Sequence, residues 1–143
     1  MQTPERRLQA LEDREEIKEA VAKYSLHILN NQTSQIPDLF ADDGAFRISS
    51  AGLNIVGREA LIAFFSRMAP GVTYPFVQTT AIVIEGDTAR HIGVMDNPAH
   101  TEGRQGYFGI YEDELRRVDG RWLFTDRHFR FLQGGPPVPP GNN

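Results

Sequence analysis

Two consecutive residues, Asp119-Gly120, constrain this chain most. They sit between Tyr-Glu-Asp-Glu-Leu-Arg-Arg-Val (111–118) and Arg121-Trp122. A two-residue Asp-Gly turn demands positive φ at both positions and joins antiparallel strands. Strand alternation then puts Tyr107, Gly109, Tyr111, Asp113 and Leu115 on one face, and Phe108, Ile110, Glu112 and Glu114 on the other. Asp113 is thus a carboxylate on an otherwise apolar face, where burial is costly without a hydrogen-bond partner or a proton. It is the first candidate for chemistry, against the plainer reading of an ordinary strand-end salt bridge.

Upstream the period is helical. Leu8, Leu11, Ile17, Val21, Tyr24 and Ile28 recur at helix spacing and predict one long helix over 4–30, with Thr3 as N-cap and Pro4 in the first turn. A short helix is expected over 34–40, a turn at 41–44, strands over 45–50 and 53–56, and a helix over 58–68 with Leu61, Phe64, Phe65 and Met68 on its apolar face. After Pro70-Gly71 the period becomes that of strands, expected at about 75–85, 88–96, 104–117 and 121–132. Helices followed by antiparallel hairpins predict an α+β fold, a curved antiparallel sheet wrapped around the N-terminal helix as a cone-shaped barrel. The cone domain spans 1–132, and the Pro/Gly-rich tail 133–143 can be neither helix nor central strand.

At 143 residues the chain has the length of one domain. Its 15 basic and 19 acidic residues form no basic patch, so the footprint of a nucleic-acid partner is missing. Cysteine is absent, which excludes disulfides and thiol chemistry. No apolar run approaches spanning length, so no membrane partner is expected and the default location is cytoplasmic. No ligand set of the His-x-x-x-His kind occurs, so no metal is expected, and Gly86, Gly103, Gly106 and Gly109 form no phosphate-cradling pattern before a helix, so no nucleotide cofactor is expected.

The segments Leu-Glu-Asp-Arg-Glu-Glu-Ile (11–17), Leu-Phe-Ala-Asp-Asp (39–43), Val-Gly-Arg-Glu-Ala-Leu (56–61), Ile-Val-Ile-Glu-Gly-Asp (82–87) and the hairpin 111–122, together with Tyr24, resemble the nuclear transport factor 2-like superfamily. Within it the chain is similar to the SnoaL-like polyketide cyclases, ketosteroid isomerase and scytalone dehydratase. By that resemblance Tyr24 matches an oxyanion-binding tyrosine, and Asp113 matches the acid beside it or a cyclase aspartate. The resemblance also shows departures. The isomerase base would fall at Ile48, the dehydratase aspartate at Leu29, and the dehydratase histidine near Pro75 or Phe76.

The resemblance implies a cofactor-free lyase or isomerase acting on a small hydrophobic, cyclic or aromatic molecule. Tyr24 and Asp113 would be the oxyanion donors, Asp113 in its protonated form. His128 is the candidate base: alternation groups it with Trp122, Phe124, Asp126 and Arg130, and the resemblance implies that the Trp face looks toward the helices, although an Asp126–His128–Arg130 row on an exposed edge is an equally simple account. His27, Phe64, Phe76, Tyr107, Tyr111 and Trp122 are the candidate pocket walls, with core packing as the simpler account of the aromatics. His91 has no partner visible in the sequence, and His100 with Asp96 and Glu102 reads as solvated loop charge. A non-catalytic binding or assembly module on the same scaffold is the alternative. In either case an apolar outer row such as Phe108 and Ile110 would suit a homodimer.

Overall fold

The computed structural model describes residues 1–70, 74–98 and 106–133. Helix α1 (Pro4–Leu29) starts where its capping chemistry requires: the Thr3 side chain accepts from the Arg6 amide, and Pro4 occupies the first turn. A 3-10 segment (Thr33–Leu39) leads into β1 (Phe40–Ile48), and β2 (Leu53–Val56) pairs back antiparallel before helix α2 (Arg58–Ser66). Four long strands follow: β3 (Phe76–Glu85), β4 (Thr88–Asn97), β5 (Tyr107–Val118) and β6 (Arg121–Gln133). They form a six-stranded sheet in the order β2-β1-β6-β5-β4-β3, antiparallel throughout except where β1 runs parallel to β6.

The α+β cone is therefore as expected, a curved and unclosed sheet around the long helix. Asp119 and Gly120 take φ of 50° and 79°, the left-handed pair that an Asp-Gly hairpin needs. Residues 41–44 depart from expectation. The turn expected there is part of β1, and the register against β6 shifts between Phe40 and Ala45. Gln133 still belongs to β6, and the rest of the tail lies outside the described residues.

Helix and sheet meet in a core of Ile17, Tyr24, Ile36, Phe65, Leu115 and Phe124, among others, with essentially no exposed surface. One end is pinned by Asp13, itself buried, whose carboxylate accepts from Trp122 Nε1 (3.1 Å), Arg117 Nη2 (2.7 Å) and Gln9 Nε2 (3.0 Å). No helix among the described residues is long and apolar enough to cross a membrane.

Candidate functional site

Period-two alternation puts Asp113 where the sequence expects it, with Tyr111 and Leu115 on the face of β5 that meets α1. The antiparallel register of β4 against β5 sets His91 directly opposite Asp113. Arg127 of β6 is opposite it on the other side. The three side chains close a buried triad. His91 Nδ1 lies 2.8 Å, and Arg127 Nη1 2.7 Å, from the same oxygen, Asp113 Oδ2. None of the three exposes any side-chain surface.

Asp113 Oδ2 only accepts from Arg127, and its bond to His91 makes Nδ1 the protonated ring nitrogen. The other nitrogen, Nε2, stands 3.0 Å from the Thr79 hydroxyl. A missing Cβ makes room for this ring: a methyl on Gly93 would come within 2.8 Å of His91 Cε1 and 2.9 Å of Val77 Cγ1.

Aromatic rings enclose the arginine. Its guanidinium carbon lies 3.7 Å from the centre of the Tyr111 ring, 4.3 Å from that of Tyr24 and 4.8 Å from that of Phe124. Desolvated cation–π contacts of this kind contribute about 2 kcal/mol each. Burial alone pulls the Arg127 pKa down, but Asp113, helped by Tyr111 and Tyr24, outweighs it and holds the group above its usual value. Burial pushes the Tyr24 phenol well above 10.0, and the neighbouring Tyr111 adds to the rise while Arg127 opposes it. Tyr111 is raised by burial too, with Arg127 opposing. Two neutral phenols therefore stand beside the charged groups. Among the described residues, none hydrogen-bonds the buried Asp113 Oδ1 or Arg127 Nε and Nη2, although the Tyr111 hydroxyl makes a further polar contact to the guanidinium.

The sequence candidates divide. Tyr24, Tyr111 and Asp113 come together, but the partners of Asp113 are Arg127 and His91, both donors to it. That arrangement favours an accepting carboxylate over the protonated donor expected from the resemblance. His128 does not reach them. The pairing of β5 with β6 shifts register between Leu115–Phe124 and Glu114–Asp126, leaving Thr125 as an extra residue. Parity flips there, so Arg127 and Phe129 point toward the helix, and His128 faces the opposite side with Nε2 2.9 Å from Ser49 Oγ.

Trp122 is buried against the N-terminal half of α1, held through Asp13 and through its amide to Glu16. His27 lies at the helix end, 3.5 Å from Gln32 Oε1. Phe64 packs on Phe46 and Phe65, and Tyr107 on Phe129 and Phe131. Phe76 is 56% exposed on the outer face of the sheet. His100 and Glu102 lie outside the described residues. Sequence reasoning missed His91 and Arg127. For His91 a signal existed, since it shares strand parity with Ala89, Gly93 and Met95, the inward residues of β4.

Among the described residues two cavities open on the outer face of the sheet. One, of about 540 Å³, is lined by Val83, Arg90, Ile92, Glu114, Arg116 and Thr125, among others. The other, of about 360 Å³, lies between Phe76, Val94 and Phe108.

A SnoaL-like domain model matches residues 9–128, the helix, the triad and the whole sheet up to His128. The chain belongs to the SnoaL-like domain family. Solved structures agree with the SnoaL-like assignment. An NTF2-like protein with a cystatin-like fold from Novosphingobium aromaticivorans is similar at 25% identity and TM-score 0.74, over 90% of this chain and 88% of that one. A Mycobacterium tuberculosis protein of unknown function matches at 25% identity and TM-score 0.72, over 92% and 80%. A hexachlorocyclohexane dehydrochlorinase from Novosphingobium barchaimii shares the fold at 20% identity and TM-score 0.70, over 93% and 99%. No curated protein matches the sequence.

Proposed function

We propose that this SnoaL-like domain is a cofactor-free lyase or isomerase that moves a proton on a small hydrophobic, cyclic or aromatic molecule. The observation that carries the reading is the buried His91–Asp113 pair at 2.8 Å beside the Tyr24 and Tyr111 phenols. Asp113 fixes Nδ1 as the donor and orients the ring, so Nε2 is the basic nitrogen. A substrate C–H next to a carbonyl takes the place of the Thr79 hydroxyl at Nε2. Its proton passes to His91, the electron pair moves onto the carbonyl oxygen, and the phenols donate to the resulting enolate. Reprotonation at a remote carbon completes an isomerisation; loss of a β-hydroxyl as water completes a dehydration.

The test is isotope exchange. In D2O, a panel of cyclic ketones should lose α-proton NMR signal with the wild-type chain and not with His91→Gln. Equal exchange by both, or none by the wild type, overturns the assignment of His91.

A second reading, a binding or assembly module, is favoured by the placement of the two described cavities on the outer face of the sheet, away from the triad. That face also carries exposed apolar groups, Val83 and Phe108 among them. We infer that a second copy covers them, since soluble proteins seldom leave such a patch open. Light scattering should then give twice the 16.1 kDa of one chain; a monomer at micromolar concentration rejects the dimer.

A further inference from the structure

Two donors share one acceptor at the centre of the triad. His91 Nδ1 and Arg127 Nη1 both lie within 2.8 Å of Asp113 Oδ2, and none of the three side chains is exposed. A guanidinium keeps its charge inside a folded protein, so one positive charge is fixed here. Asp113, accepting from both neighbours as a carboxylate, supplies the matching negative charge. The cluster is therefore balanced without the imidazole. A proton added to His91 would leave one uncompensated positive charge among buried groups, which is strongly unfavourable.

The groups around the ring leave that count unchanged. Among the described residues, β3 faces His91 with Thr79, and β4 itself adds Ala89, Gly93 and Met95 on the same side. From β5 comes Tyr111 beside Asp113, and from α1 Tyr24, both phenols kept neutral by burial. Helix α1 also carries Arg14, whose Nη1 donates to the carbonyl of Ile82 (3.0 Å), the β3 residue paired with His91. Its charge has the sign of Arg127 and acts in the same direction.

We propose that Arg127 is the positioning residue that keeps His91 uncharged at neutral pH, and so leaves it free to accept a proton. This rests on the proton-transfer reading and deepens it. Asp113 alone would do the opposite. A buried carboxylate beside an imidazole favours the imidazolium, and a base that already holds its proton takes none from a substrate. With Arg127 on the same oxygen, the carboxylate still orients the ring while the guanidinium matches its charge.

NMR of the full chain carrying isotope-labelled histidine tests this without any substrate. At about pH 7.5, above the ordinary histidine value, the two His91 nitrogens of the wild type should differ, one protonated and one bare. Arg127→Gln, which removes the charge and keeps a donor for Asp113, should protonate both. Arg127→Lys, which restores the charge, should return one nitrogen to the bare state. In the isotope-exchange assay the acid limb of the pH profile should move up by about 1–3 pH units in Arg127→Gln, the range that a charge at contact distance imposes. A merely structural role would lower exchange by one factor at every pH.

Should Arg127→Gln not fold, the wild-type ring decides: one bare nitrogen supports the proposal, and two protonated nitrogens overturn it. A ring that is unchanged in Arg127→Gln, or exchange lowered uniformly across pH, also overturns it. If the ring responds but the wild type exchanges nothing, Arg127 sets the charge of His91 and proton transfer fails. If exchange depends on His91 but the ring does not respond, proton transfer stands and the role of Arg127 fails.

Discussion

His91 and Asp113 stand 22 residues apart in sequence, yet their side chains meet at 2.8 Å with no exposed surface on either. A histidine held by a carboxylate in an apolar interior has a defined tautomer and a defined direction. Replacing His91 by Gln keeps the bulk and removes the base. Exchange of substrate α-protons should fall by about 10²–10⁴-fold, the usual contribution of a positioned general base. Circular dichroism should be unchanged, so the loss can be assigned to chemistry.

Arg127 and Asp113 form a fully buried ion pair. Arg127→Met leaves the carboxylate with His91 as its remaining partner and should cost about 3–5 kcal/mol. Adding Asp113→Asn removes the stranded charge and should recover part of that loss. Urea midpoints of the wild type, both single variants and the double variant measure the coupling; additive losses would show that the two charges do not depend on each other.

Gly93→Ala places a methyl 2.8 Å from the His91 ring. The ring has to turn, which breaks its alignment with Asp113 and Thr79. Exchange activity should drop by at least an order of magnitude, with the fold largely retained because the neighbours are side chains. A shift of the His91 ring resonances in NMR checks the cause.

Alkaline pH should expose the two buried phenols. Both Tyr24 and Tyr111 have folded-state values above 10.0, so the folded chain keeps their protons where the unfolded chain releases them. The stability they contribute is fully present below pH 10 and is lost as pH rises beyond it. Urea midpoints should therefore fall above pH 10, and Tyr24→Phe should lessen the slope. Absorbance at 295 nm should show two of the four tyrosines ionising only as the chain unfolds.

Asp13 secures Trp122, Arg117 and Gln9 at the other end of the cone. Asp13→Ala leaves the indole N–H buried without an acceptor, a loss of about 1–3 kcal/mol. Because Trp122 is the single tryptophan, its fluorescence should shift at the same denaturant concentration as the far-ultraviolet signal. An unchanged midpoint would mean that the helix is held by packing alone.

The sequence by itself determined what depends on local chemistry. The Thr3-Pro4 start of α1, the Asp119-Gly120 hairpin and the inward face of Asp113 all follow from short-range rules of capping, turn dihedrals and period-two alternation. Their order along the chain was enough to read the cone. Tertiary structure decided which side chains meet. The pairing of His91 with Asp113 depends on the register between two strands, and no residue of either strand encodes that offset alone. The extra residue at Thr125 reverses strand parity halfway along β6, so Arg127 enters the core and His128 leaves it. One inserted position is invisible to a periodicity argument, yet it inverts every side chain beyond it.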